Sequence, residues 1–377
     1  MGMQIPILRV RLPSAIDLMP YLQRIDHSRV YSNFGPLVLE FESRVAARLD
    51  LAAEGVTTVA NATLGLSAAL QAQEPEPGSL CLMPAWTFVA SPLAAIRAGL
   101  RPCFLDVDLD DWALHPEAVE AALSKLPGVA GAVMPVAPYG HPLDVSAWDS
   151  FRDRTGIAVV IDAAAGFDAV RAGRVPSAVS LHATKAIGVG EGGFVASTDA
   201  ALIRRIRGLT SFGFHGSREA MLPGTNAKLS EYQAALGLAG LDQWGGRRAA
   251  IAGRIAAYRE AFRDTNQIGF QPGLGEEWIT NTMVVRLPDG AAPHLLAHLE
   301  QAGIQARHWW GEGAHAHAAT RHFLSLPLPA TERLIQGTLG LPFHAELTDS
   351  EIRRIADEVQ AGLRLMSDAG CVAKANP

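Results

Sequence analysis

The chain has 377 residues, of which 49% are hydrophobic and 19% charged, with a formal net charge of −6. A chain of this length buries a core of two or three domains, or of one large domain with a smaller one, and its composition is far from that of a disordered segment. The acidic balance argues against a nucleic-acid partner, which would call for a basic excess. Three cysteines, Cys81, Cys103 and Cys371, are scattered without a C-x-x-C pair, as in a protein kept reduced and unlike a disulfide framework or a zinc ribbon. The N-terminus has neither the basic nor the apolar region of a secretory signal, and the longest charge-free stretch, 126–143, is interrupted by Gly, Pro, Tyr and His. No membrane partner is expected, and the expected location is the cytoplasm.

Between about residues 36 and 240, helical patterns alternate with short β-rich runs, the rhythm of an α/β domain with a mainly parallel sheet. Leu37, Phe41, Val45 and Leu49 recur every four residues and predict an amphipathic helix over 36–49. There follow a helix over 61–70, a strand over 80–84, a helix over 88–98 and a strand over 102–107. A helix over 116–123, a strand over 131–136 and a helix over 144–154 come next. The apolar run 157–161 reads as a buried strand ending at Asp162, and 177–181 and 193–196 as two more. After Trp244 the pattern changes to a long helix through 249–262, an α+β stretch and a C-terminal helix. Thr348 and Glu351 form a capping box for that last helix, with Ile352, Ile355, Val359 and Leu363 on one face. The expected organisation is a large α/β domain, 1–240, and a smaller α+β domain, 241–377, with a frayed tail after Ser367.

Functional groups of open α/β sheets gather at the carboxyl ends of strands. Asp162 ends an apolar strand, where a carboxylate gains nothing from burial without a cationic partner. Lys185 follows one strand later, in Ser180-Leu-His-Ala-Thr-Lys185, with the glycine run 188–193 directly behind it. A buried aspartate, a lysine near a strand end and a flexible glycine loop suit pyridoxal 5′-phosphate (PLP) chemistry. The amine forms an imine with the cofactor aldehyde, and the carboxylate keeps the pyridine nitrogen protonated. Each residue also has a plainer reading: Asp162 as a helix cap, Lys185 as a solvated surface residue.

Asn61-Ala-Thr-Leu-Gly65 opens a helix whose free amides suit a phosphate, or is an ordinary N-cap through Asn61 or Thr63. Trp86 lies just past a strand, where it can stack on a flat heterocycle or simply fill the core. The glycine run lacks the strand–GxGxxG–helix setting of a dinucleotide site, since a strand follows it, and this disfavours a nucleotide-binding dehydrogenase.

In this order the segments resemble the DegT/DnrJ/StrS family of sugar aminotransferases, from about Tyr31 to the C-terminal helix. The resemblance is carried by Tyr31-Ser-Asn-Phe-Gly-Pro-Leu37, Pro84-Ala-Trp-Thr-Phe88, Ser180-Leu-His-Ala-Thr-Lys185 with Glu191-Gly-Gly193, Gly224-Thr-Asn-Ala-Lys-Leu-Ser-Glu231 and Leu339-Gly-Leu-Pro-Phe343. It implies the fold of the type I PLP-dependent transferases, with Lys185 as the imine-forming lysine and Asp162 as partner of the pyridine nitrogen. Trp86 would stack on the ring. Ala62, Thr63 and Ser180 would hold the phosphate, and Asn226 would reach the phosphate of a neighbouring subunit, which makes a homodimer with shared active sites the functional unit.

Two positions depart from the family pattern. Ala62 stands where glycine is common, and Ala165 where glutamine or histidine contacts the cofactor's 3′-oxygen. Lysine at 185, where sugar dehydratases of the family carry histidine, favours transamination. The implied reaction moves an amino group from an amino acid, L-glutamate by the resemblance, to a nucleotide-linked keto-sugar, of the 4-keto-6-deoxy type by the 31–37 segment. The alternative is a PLP-binding sensor or regulator of the same fold without transaminase activity. Arg307, His315, His317, His322 and Glu312 lack a specific metal-ligand spacing, and no metal is expected. Arg307 is instead a candidate for the mouth of the site. His215 and Tyr139 lie between glycine or proline breaks, as loop residues facing substrate or solvent.

Overall fold

Short apolar runs become strands because both of their faces are covered. A computed structural model describes residues 4–214 and 216–368; His215, Cys371 and nearly all of the tail beyond Ser367 lie outside them. The strands are β1 (Val56–Val59), β2 (Leu80–Pro84), β3 (Arg101–Leu105), β4 (Ala130–Val133), β5 (Ala158–Val159), β6 (Ile161–Asp162), β7 (Ser177–Ser180), β8 (Gly193–Ala196), β9 (Met283–Arg286), β10 (Leu324–Ser325) and β11 (Thr338–Leu341). All residues of β1, β2, β7 and β8 are buried, as in a sheet with helices on both sides.

The helices are α1 (Ala15–Ser28), α2 (Pro36–Arg48), α3 (Ala62–Gln71), α4 (Ala90–Arg97), α5 (Pro116–Leu123), α6 (Val145–Thr155), α7 (Ala200–Leu209), α8 (Glu231–Asp242), α9 (Trp244–Ala261), α10 (Ala291–Gln301), α11 (Pro329–Gly337) and α12 (Asp349–Asp368).

The sheet runs β1-β8-β7-β6 on one side and β5-β4-β2-β3-β10 on the other. The expected strand over 157–161 is divided at Val160, and its two pieces face opposite neighbours. Val159 pairs with Val133, and Ile161 with Ser177. Backbone bonds from Val160 to Val133 and from Asp162 to Pro135 carry the pairing across the division. The pairs are parallel except those of β8, which is antiparallel to both β1 and β7. The amino end of β8, Gly193, therefore lies among the carboxyl ends of its neighbours.

Two segments that the sequence places far apart form one unit. The buried Glu231 carboxylate accepts the amides of Leu37 and Val38, at 2.8 and 2.9 Å, and so satisfies the start of α2. The Glu231 amide in turn donates to the Tyr31 carbonyl at 3.0 Å. A Cβ on Gly35 would stand 2.7 Å from the Glu231 carboxyl carbon, which is why glycine precedes proline there.

The chain crosses the expected boundary near residue 240 more than once. Leu324 in β10 pairs with Cys103 of β3, and the Ile5 amide donates to the Gly303 carbonyl at 3.0 Å. Asp168 ties the parts together. Its carboxylate accepts from Arg248 at 2.8 and 3.1 Å, from Arg48 at 3.4 Å and from the Ile279 amide at 3.1 Å. Replacing Asp168 with alanine strands two guanidinium groups and an amide. We expect a loss of about 3 kcal/mol in a urea melt.

Candidate active site

The carboxyl ends of the strands collect the groups singled out from the sequence. Asp162 ends β6 and is buried. Its Oδ1 accepts the Ala164 amide at 3.1 Å, and its Oδ2 accepts the Ser91 hydroxyl at 2.7 Å. Burial raises its pKa, while Ser91, the Ala164 amide and the charge of Lys185 pull it back down. Lys185 follows β7 in a tight turn, its amide bonded to the His182 carbonyl at 2.8 Å. Loss of water around its amine lowers the lysine pKa, and Asp162 opposes that shift. Each of the two groups thus feels the charge of the other.

Asn61 is the N-cap of α3: its side chain accepts the Leu64 amide at 2.9 Å. The first two amides of the helix, those of Ala62 and Thr63, have no acceptor among the described residues. Ser180 pairs across the sheet with Gly193, whose absent Cβ would stand 2.9 Å from the Ala62 nitrogen. The Ser180 oxygen accepts the His182 amide at 3.2 Å, and its proton has no acceptor among the described residues. Two open amides, an open hydroxyl and the positive end of a helix make a cradle for an anion.

That cradle depends on Gly193. A side chain there would also press within 2.8 Å of the Val179 carbonyl, and neither backbone atom can yield without moving its element. Gly193→Ala is expected to destabilise the fold by about 1–3 kcal/mol and to weaken phosphate-dependent binding. Urea midpoints together with cofactor titrations check both effects.

Trp86 is buried beyond β2, and its Nε1 has no hydrogen-bond partner among the described residues. It meets Trp310 edge-on with ring centroids 5.3 Å apart, and Trp310 stacks on Tyr139 at 4.0 Å. Tyr139 is buried and takes a left-handed backbone at φ 55°. The following Gly140 lies against the Ala165 carbonyl, 2.8 Å from where its Cβ would be. The 307–314 segment therefore borders this region through Trp310, and the Ala314 amide donates to the Ala85 carbonyl at 2.8 Å. Arg307 itself is exposed, with its guanidinium 4.9 Å from the Trp309 ring. Among the described residues no three His, Cys, Asp or Glu side chains gather as a metal site.

Among the described residues Asn226 makes no side-chain hydrogen bond to the groups above. It is exposed, and its side-chain oxygen takes a hydrogen bond from Lys228 at 2.6 Å. Its neighbour Ala227 accepts the Ala60 amide at 2.7 Å, just ahead of α3.

The sequence profile of the DegT/DnrJ/EryC1/StrS aminotransferase family matches residues 16–360. The chain belongs to this family. It is a PLP-dependent aminotransferase.

Among its relatives is the erythromycin biosynthesis sensory transduction protein EryC1 of Saccharopolyspora erythraea, 33% identical over 88% of this chain and 90% of its own length. The dTDP-3-amino-3,4,6-trideoxy-alpha-D-glucose transaminase of Streptomyces venezuelae is 31% identical over 86% of this chain and 87% of its own. A Bacillus cereus protein solved as a putative PLP-dependent aminotransferase superposes with a TM-score of 0.89, at 30% identity over 95% of this chain and all of its own. DesI, solved with its TDP-sugar product, superposes at 0.84, with 32% identity over 98% of this chain and 95% of its own.

The family's cofactor fits what this chain offers. Open amides and a hydroxyl suit a phosphate, a buried carboxylate suits a protonated ring nitrogen, and a dehydrated lysine suits an aldehyde. Sequence reasoning missed Ser91, whose hydroxyl touches Asp162 although the two residues are 71 positions apart. A serine one turn into a predicted helix carries no local mark of that contact. The stacking of Trp310 on Tyr139 likewise became visible only in the fold.

Proposed function

We propose that the enzyme transfers an amino group from L-glutamate to a nucleotide-linked keto-sugar, a 4-keto-6-deoxy sugar in the first instance. The observation that carries the reading is the mutual placement of Asp162 and Lys185 at the carboxyl ends of β6 and β7 beside an open anion cradle. The acceptor class is supported by the sugar transaminases to which the chain is similar.

PLP, when bound, supplies an aldehyde carbon to which amines attach and a ring that accepts electrons. The chain's own residues do the rest. Ala62, Thr63 and Ser180 would hold the phosphate, and Trp86 would cover the ring. Asp162 would hold a proton on the pyridine nitrogen. Lys185, whose amine burial drives toward its uncharged form, would be the group that holds the aldehyde carbon and that takes the proton from the donor's α-carbon. The same amine returns a proton when the keto-sugar is aminated.

The deciding assay incubates the holoenzyme with L-glutamate and a panel of nucleotide-linked keto-sugars and follows 2-oxoglutarate and amino-sugar by mass spectrometry. Transfer to a 4-keto-6-deoxy sugar supports the reading. A PLP-loaded protein inert toward every amino acid would instead be the regulator considered above.

Asn226 serves the neighbouring subunit in this reading, its exposed position in one chain leaving it available to another. Mixed dimers test this. Lys185→Ala and Asn226→Ala chains, each impaired alone, should regain activity when co-folded, because one of the two sites then carries neither lesion. Activity that stays at the level of the parents would place Asn226 in its own chain's site or outside both.

A further inference from the structure

We infer that Ser91, held in turn by Thr87, is the positioning residue that orients the Asp162 carboxylate and stabilises its charged form. The inference rests on the reading of Asp162 as partner of the cofactor's pyridine nitrogen.

A carboxylate out of water needs donors on both oxygens. At Asp162 one is a backbone amide, that of Ala164, and the other is the Ser91 hydroxyl at 2.7 Å. Ser91 is the side chain that reaches it. Ser91 and Thr87 are buried, and their oxygens lie 2.8 Å apart.

The direction of the chain follows from proton counting. An ionised carboxylate can only accept, so Ser91 must give it its single proton. The Ser91 oxygen then accepts from Thr87, whose other acceptor within reach, the Phe88 carbonyl, is at 3.5 Å. Thr87 thus donates to Ser91, and Ser91 to Asp162, each bond polarising the next in a dry environment.

Ser91 lies in the first turn of α4, which fixes its place in the fold. Lys185 is the charged group whose field bears on Asp162. With donors on two different oxygens the carboxyl plane is pinned, and its remaining lone pairs stay available for an N–H partner.

The prediction is specific to the hydroxyl. Without Ser91 the carboxylate loses a donor to its charged form, so its pKa rises further. The acid edge of PLP binding should then move to higher pH. PLP affinity of the apoprotein, read by quenching of tryptophan fluorescence across pH, compares wild type with Ser91→Ala, Ser91→Thr, Thr87→Val and Asp162→Asn.

Ser91→Ala should bind PLP about tenfold more weakly at neutral pH, with its acid edge raised by about one unit. Ser91→Thr, which keeps the hydroxyl, should behave as wild type. Thr87→Val should shift the edge in the same direction by less.

A wild-type edge in Ser91→Ala would overturn the inference. So would a Ser91→Thr protein as impaired as Ser91→Ala, which would make the effect one of packing. If Asp162→Asn itself keeps the wild-type affinity and edge, the reading of Asp162 fails as well. If Asp162→Asn abolishes the edge while Ser91→Ala does not move it, only the role of Ser91 is lost.

Discussion

Lys185→Ala should slow both halves of the amino transfer by about 1000-fold or more, and the protein should remain folded. The residue is partly exposed and no salt bridge to its amine is found among the described residues, so truncation removes a charge near Asp162 and leaves the core in place. On the proposed role of Lys185, what would be lost is chemistry: the attachment of the aldehyde and the proton carrier. Single-turnover mixing with L-glutamate isolates the first half-reaction, and added small primary amines should restore part of the rate by carrying the proton instead. Full activity in Lys185→Ala would remove this residue from the mechanism.

The pH behaviour has a definite sign. Burial lowers the Lys185 pKa from its ordinary 10.5, and only the neutral amine is nucleophilic. The rate at which the apoenzyme captures PLP should rise with pH and level off below the pH at which a solvated lysine would.

With Asp162 as the proposed partner of the pyridine nitrogen, Asp162→Asn should reduce transamination by about 100-fold or more, because an amide would not hold that nitrogen protonated. Its effect on stability should run the other way. In the apoprotein the Asp162 pKa is raised by burial. A raised acid pKa means that the folded state favours the protonated form, so this group's stabilising contribution is complete at low pH and is lost as pH rises through the folded value. At neutral pH this group therefore costs stability. Asp162→Asn apoprotein should melt at or above the wild-type temperature, while added PLP should raise its melting temperature less than it raises that of wild type. Differential scanning calorimetry with and without PLP separates the two effects. A lower melting temperature of the apo variant would show that the Ser91 and Ala164 bonds already more than offset the cost of burial.

Elements whose pattern was local were legible. The strands over 80–84 and 193–196 and the helix over 116–123 have the boundaries read from composition and period. The last helix opens on the expected Thr348–Glu351 box, with Glu351 Oε2 accepting the Thr348 amide at 2.8 Å.

Elements whose identity depends on a distant partner were not singled out. β1 is Val-Thr-Thr-Val, in which two threonines are fully buried. Thr58 can be buried because the buried Glu42 accepts both its amide and its hydroxyl, at 2.7 and 2.9 Å. The carboxylate of Glu42 is in turn paired with Arg207 of α7. Nothing in that tetrapeptide announces a partner 16 residues before it.

By itself, the order of residues marked part of the repertoire: several of the runs that become strands, some helix starts, and an aspartate and a lysine as candidates for PLP chemistry. These are properties of period, capping and side-chain type, all expressed within a few residues. Tertiary structure decided the rest. It turned β8 against its neighbours so that Gly193 meets the open amides of α3, and it brought Ser91 to the Asp162 carboxylate. It also laid Trp310 on Tyr139. The reason is that hydrogen-bond satisfaction and close packing are properties of pairs in space, and the chain assigns those pairs only when the sheet closes.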